Sequence, residues 1–198
     1  METRMVTLLQ VRENTAFPYH RWTVEDYYRM AEVGLLAPFD RTELIEGELI
    51  DMAPIGCKHA YWVDRLLAVF SRKATACLIR VQNPIRLDLY NEPQPDIALV
   101  QNRSYLEAHP NATDVYLLVE VADSTLPFDR DVKLPLYARH GIPEVWLLDV
   151  NTEELTICRD PVDGQYRTIF TPKTTEPIAP RALPQAATTL AEIARPVP

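Results

Sequence analysis

Val115–Val121, VYLLVEV, is apolar at every position apart from Glu120 and the phenol of Tyr116. A strand apolar on both faces needs cover on both, so this one belongs at the centre of a sheet with layers above and below. Asp129–His140 then has helical character ending at Gly141, and Glu144–Val150, EVWLLDV, is a second apolar strand. Strand, helix, strand over about 35 residues is a right-handed parallel crossover. Pro135 lacks an N–H and disfavours helical geometry at Leu134, so the regular helix is expected to begin close to Leu134, with Asp129–Lys133 as an irregular lead-in.

The other elements fit around that unit. Thr23 and Asp26, ahead of Tyr27, Tyr28, Met30, Ala31 and Leu35, read as an N-capped helix closed near Gly34. Arg41–Ala53 has two short β-type runs meeting at Glu46-Gly47 and reads as a hairpin. From Lys58 to Arg72 the apolar residues Val63, Leu66, Leu67 and Phe70 share one side of a helix, while Lys58, Arg65 and Arg72 form a stripe away from it. Cys77–Val81, Ile85–Leu89 and Asp96–Val100 are short strands, and Leu155–Cys158 with Tyr166–Phe170 close a hairpin around Asp163-Gly164. Trp62, Trp146 and Tyr137 fall on apolar elements and are expected in the core.

With 198 residues the chain is long enough for one well-cored domain. The expected layout is a single domain over 1–198: an N-terminal extension over 1–20, a core over 21–170 and a Pro-rich C-terminal extension over 171–198. Seven of the 17 prolines lie between Pro161 and Pro198, which favours a stiff, extended tail, with Thr188–Ala194 as one last helix. Cys57, Cys77 and Cys158 are too few and too far apart for a disulfide scaffold or zinc ribbon. Five glycines supply neither a GxGxxG nor a Walker loop, and no apolar run approaches the roughly 18 residues that span a bilayer. A cytoplasmic location away from membranes is therefore expected. The formal net charge of -8 excludes indiscriminate coating of nucleic acid or anionic membrane.

Glu120 stands out chemically, because an ionised carboxylate alone in an apolar central strand would cost several kcal/mol to bury. It needs a cation or a partner. Asp96 opens another apolar strand directly after Pro95. Taken alone it reads as a turn residue; beside Glu120 on a neighbouring strand it makes an oxygen-rich cage of the kind that Mg2+ or Mn2+ prefers. Lys133 leaves the end of the Glu120 strand one loop downstream. Its ammonium either is solvated or returns to the carboxylates, where it would orient a water.

Five blocks now stand in order: ELIEGEL (Glu43–Leu49), the helix-start His59, QPDIALV (Gln94–Val100), VEVADST (Val119–Thr125) and DRDVKLPLYARHGIPEVWLLD (Asp129–Asp149). Together, over roughly Thr23–Val150, they resemble the Uma-type family of restriction endonucleases, a branch of the PD-(D/E)XK nuclease superfamily. The resemblance implies an α/β (α+β), restriction-endonuclease-like fold, a mixed β-sheet flanked by helices. Pro95-Asp96 corresponds to the PD and Glu120 to the acidic position. The superfamily lysine would follow two residues later, where Ala122 stands, so the resemblance moves it to Lys133. Glu43 matches a further acidic position and is either a site carboxylate or a solvated hairpin residue. His59 either approaches the site or is satisfied at its helix start, and Asp129 reads as a turn cap.

The implied activity is hydrolysis of DNA phosphodiester bonds, with Asp96 and Glu120 as ligands of Mg2+ or Mn2+ and Lys133 positioning a water. The rival is a non-catalytic binding or scaffold module on the same fold. Either form is compatible with a homodimer. DNA would need local basic surface, and between Cys57 and Leu87 there are six basic residues (Lys58, Arg65, Arg72, Lys73, Arg80, Arg86) against one acid, Asp64. The stripe of Lys58, Arg65 and Arg72 is the candidate DNA face, or else a solvated helix face.

Overall fold

The computed structural model describes residues 19–37 and 41–195; the expected N-terminal extension lies largely outside the described residues. Helix α1 (Val24–Glu32) is opened by a full capping box, with the Thr23 hydroxyl and the Asp26 carboxylate each serving the other's backbone N–H. The hairpin β1 (Thr42–Ile45) and β2 (Glu48–Asp51) follows. Glu46 and Gly47 both have positive φ, 54° and 77°, as a two-residue hairpin turn matched to strand twist requires. Gly47 also lies against Arg21, where any Cβ would meet the Arg21 Cβ at 2.7 Å.

Helix α2 (Cys57–Lys73) leads into a six-stranded sheet of β3 (Cys77–Val81), β4 (Ile97–Gln101), β5 (Val115–Ala122), β6 (Glu144–Asp149), β7 (Glu154–Val162) and β8 (Gln165–Phe170), in that spatial order. Strands β5 and β6 pair in parallel and the other pairs are antiparallel, so the sheet is mixed, with the apolar β5 and β6 side by side at its centre. The connection between them is a single helical turn α3 (Leu126–Phe128), a π-helical turn (Asp129–Lys133) and helix α4 (Leu134–Arg139). Pro135 cannot donate to the Asp131 carbonyl and its ring crowds that carbonyl. The chain widens instead, and Leu134 N–H bonds to Asp129 C=O five residues back.

Both sheet faces are covered. On one side Ile97, Leu99, Leu117, Val119 and Trp146 pack against Trp62, Leu66 and Phe70 of α2; on the other, Ala98, Leu118 and Val145 pack against Leu134, Tyr137 and Ala138 of α4. Glu120 shares the second face with Leu118 and Ala122 by strand alternation.

Two expectations are corrected. Ile85–Leu89 is not a strand, because Asp88 draws the chain into a turn by accepting from Tyr90 N–H at 2.7 Å; only the bridge of Arg86 to Asn111 remains. The Pro-rich segment after 171 is not a stiff tail either. Ile178, Leu183, Ala186 and Ile193 are buried in the α2-side core, and α5 (Leu190–Ala194) lies against α2. Apolar residues spaced between the prolines bury more than an extended segment could leave in water.

Candidate active site

The π-helical turn sets the geometry. It carries Asp129 and Lys133 inward, both buried, beneath the end of β5. Lys133 Nζ lies 3.1 Å from Glu43 Oε2, 3.4 Å from Glu120 Oε1 and 3.9 Å from Asp129 Oδ1. Glu43 comes from β1, and its Oε2 also accepts from Gln94 N–H at 3.0 Å, which ties the hairpin to the loop before Asp96. Tyr137, one helical turn beyond Lys133, donates its hydroxyl to Glu120 Oε1 at 2.5 Å. The Thr125 hydroxyl holds Asp129 Oδ2 at 2.6 Å.

Asp96 sits beside this cluster. Its Oδ2 accepts from Val121 N–H at 2.8 Å, so it is fixed to the residue next to Glu120, and its Oδ1 meets His59 Nε2 at 2.9 Å and Gln82 Nε2 at 3.2 Å. His59 lies in the first turn of α2, and its Nδ1 is buried with no hydrogen-bond partner.

The charges are unbalanced, with four carboxylates (Glu43, Asp96, Glu120, Asp129) facing one ammonium and one imidazole. Burial, only partly offset by Lys133, and the other carboxylates hold Glu120 well above the usual carboxylate range. Burial in the same cluster pushes Asp129 up to about 6. Burial alone would lower the Lys133 ammonium, but Glu120, Glu43 and Asp129 outweigh it and hold Lys133 protonated. Asp96 goes the other way: burial would raise it, yet His59, Val121 N–H and Gln82 together keep it below its ordinary value. His59 is raised in turn by Asp96.

Asp96, Glu120, Lys133, Glu43 and His59 thus converge, as expected of a common site. Asp129 and Tyr137 join them, although the sequence reading assigned one to a turn cap and the other to the core. The spacing of Asp129, Lys133 and Tyr137 at i, i+4 and i+8 was the available signal for both. Among the described residues, no three His, Cys, Asp or Glu side chains stand ready to hold a metal ion, and Lys133 Nζ lies among Glu43, Glu120 and Asp129. The donor chemistry nonetheless suits a hard divalent cation: the carboxylates are oxygen donors carrying an excess of buried negative charge. Two hollows, of about 400 Å³ beside Tyr27, Tyr28 and Gln94 and about 1000 Å³ beside Glu46, Asp131 and Arg139, flank the hairpin. Neither is lined by Asp96, Glu120 or Lys133.

The expected basic stripe on α2 is corrected at its middle member. Arg65 is 6% exposed and donates through Nε to Ile193 C=O at 3.0 Å, because the C-terminal segment covers that face. Lys58 and Arg72 are exposed at the two ends of the helix.

A family model described as "Uma2: Putative restriction endonuclease" matches residues 24–191. The chain belongs to the Uma2 family. No curated protein matches it at a significant level. The chain is similar in fold to a solved structure described as "a putative nuclease belonging to DUF820" from Anabaena variabilis, at 14% identity and a TM-score of 0.65 over 86% of this chain and 96% of that one. The Uma2 match extends to residue 191, so it takes in most of the C-terminal segment and ends within α5. No helix among the described residues is long and apolar enough to cross a membrane.

Proposed function

We propose that this Uma2 protein is a metal-dependent nuclease that hydrolyses DNA phosphodiester bonds through a PD-(D/E)XK-type site whose lysine has moved to the π-helical turn. The observation that carries this reading is the approach of Lys133 to Glu120 and Glu43 beside the Asp96 that is bonded to Val121 N–H. Asp96 and Glu120 are the ligands proposed for Mg2+ or Mn2+. When bound, such an ion supplies Lewis-acid polarisation and offsets charge on the phosphate. Lys133 Nζ, held protonated, donates to the attacking water or a phosphate oxygen and stabilises charge that develops there. Tyr137 fixes Glu120 Oε1, and His59 orients Asp96 through Oδ1. Glu43 holds Lys133 in place until substrate arrives. Lys58, exposed at the start of α2 beside His59, is the lysine proposed to contact DNA phosphate.

The test is cleavage of plasmid DNA with Mg2+ or Mn2+ by wild-type protein and by Asp96→Ala and Glu120→Ala. Cleavage by wild type that both variants lose is the expected result. Equal activity in all three overturns the assignment. The rival reading, a scaffold whose carboxylates serve only structure, draws on the direct engagement of Lys133 by Glu43 and Glu120. Calorimetry separates the two, since a scaffold would show no Mn2+ binding that Glu120→Gln abolishes.

A further inference from the structure

A second polar network, which shares no residue with the carboxylate cluster, lies over the β3 edge of the sheet. Glu92 is buried, and its two oxygens accept from the Tyr28 hydroxyl at 2.6 Å and from Arg86 Nε at 2.6 Å. Tyr28 gives its proton to Glu92, so its oxygen accepts from His109 Nε2, 3.0 Å away. That fixes the imidazole: Nε2 carries the proton, and the bare Nδ1 accepts from Arg80 Nη2 at 3.3 Å. Burial lowers the His109 pKa, in keeping with a neutral ring. One buried carboxylate therefore orients two guanidiniums, Arg86 directly and Arg80 through Tyr28 and His109.

A third arginine stands beside them. Arg103 makes two parallel hydrogen bonds to the buried Asp114, at 3.0 and 2.7 Å, and lies 4.8 Å over the Tyr105 ring, which Arg80 approaches at 5.8 Å. Glu92 and Asp114 thus answer Arg86 and Arg103, while Arg80 forms no ion pair among the described residues. Its Nε is buried without a hydrogen-bond partner. A half-buried guanidinium kept in place by an aromatic ring and a neutral imidazole lacks its anion.

Its position suggests which anion. Arg80 pairs with Ala98 across the sheet, and Ala98 with Leu118, so Arg80 leaves the sheet on the face that carries Glu120. It stands two residues, about 7 Å of strand, from Gln82, whose amide touches Asp96. We infer that Arg80, flanked by Arg86 and Arg103, is a phosphate-binding contact for the backbone of DNA adjoining the carboxylate cluster. The nature of the anion rests on the nuclease reading. Guanidinium groups match phosphate oxygens, and an arginine already held by His109 and near the Tyr105 ring loses little freedom on binding one. With Arg86 and Arg103 each answered by a carboxylate, Arg80 is the charge left for an incoming phosphate.

The test measures binding of a short labelled DNA duplex by fluorescence anisotropy in EDTA, between about 50 and 200 mM salt. Arg80→Gln is expected to weaken binding about five- to tenfold near 0.1 M salt and to flatten the dependence of log Kd on log salt by about one. Arg80→Lys should keep the wild-type slope. Arg167→Gln, an equal charge change on the opposite edge strand β8, should leave both quantities unchanged. If Arg80→Gln melts well below wild type, Arg80→Met, which keeps the apolar stem beside Tyr105, carries the same test. Equal affinity and slope in wild type and Arg80→Gln overturn the contact, as does an equal loss in Arg167→Gln. A wild type that binds no DNA also overturns it, whereas the nuclease reading is decided separately by plasmid cleavage.

Discussion

Lys133 reaches Glu120 from the π-helical turn of the crossover, with its Nζ 3.4 Å from Oε1. The same ammonium serves Glu43 and Asp129, so three buried carboxylates depend on one cation. Lys133→Met should therefore cost about 3–5 kcal/mol at neutral pH, the usual result of leaving buried charge without its partner. Urea unfolding measures the loss. The deficit should shrink as pH falls from 7 to 5, because Asp129, pushed up to about 6 by burial, takes up its proton and no longer needs the cation. A deficit that is independent of pH would show that Lys133 acts by packing alone.

Tyr137 is buried, and its hydroxyl donates to the oxygen of Glu120 that also faces Lys133. Tyr137→Phe removes one hydrogen bond to a buried acceptor and should cost about 1–3 kcal/mol. If Tyr137 positions Glu120 for a metal, the Mn2+ concentration giving half-maximal cleavage should rise while cleavage at saturating Mn2+ falls less. A purely structural tyrosine would lower stability and leave the metal dependence unmoved.

The His59 and Asp96 pair titrates at both ends. Asp96 is held below its ordinary value, so its contribution is present above about pH 3.9 and is lost as pH falls through the folded value. His59 is raised, so its contribution is complete below about pH 6.5 and is lost as pH rises through the folded value. The melting difference between wild type and His59→Gln should thus peak between those limits, at about 2–8 °C, and narrow on the alkaline side. Thermal melts at pH 5.5 and pH 8.5 give the comparison.

How much of this was legible in the sequence follows from what each residue's neighbours in the chain could reveal. The central pair of strands is written in unbroken apolar runs, and the irregular entry to α4 in a single proline, so both follow from local physics. Asp96 and Glu120 were visible because polar residues in or at the ends of apolar strands need an explanation, whereas Lys133, which by itself could equally be solvated, was singled out by the family resemblance. Tyr137 was hidden because a tyrosine on an apolar helix face reads as core, and it is core; only its hydroxyl belongs to the site. Arg65 misled for the converse reason. Helical periodicity places it on a polar stripe, and nothing in its own helix announces that a segment 128 residues away covers that stripe.

That covering segment yields the last prediction. Arg65 Nε bonds to Ile193 C=O, the Tyr61 hydroxyl to Ala194 C=O, and Lys73 Nζ to Glu192 at 2.6 Å, so three residues of α2 anchor α5. Ile193 itself is fully buried against the α2-side core. Ile193→Ala should cost about 2–5 kcal/mol as a buried large-to-small change. Arg65→Gln should cost less, about 1–3 kcal/mol, from the loss of a hydrogen bond made by a buried charge. On a DNA-facing helix stripe, Arg65→Gln would also weaken duplex binding and flatten its salt dependence. Because Arg65 is buried under α5, binding and slope should stay at wild-type values while the urea midpoint falls. Anisotropy and urea titration on the same preparation measure both, and a change in the salt slope would return Arg65 to the DNA face.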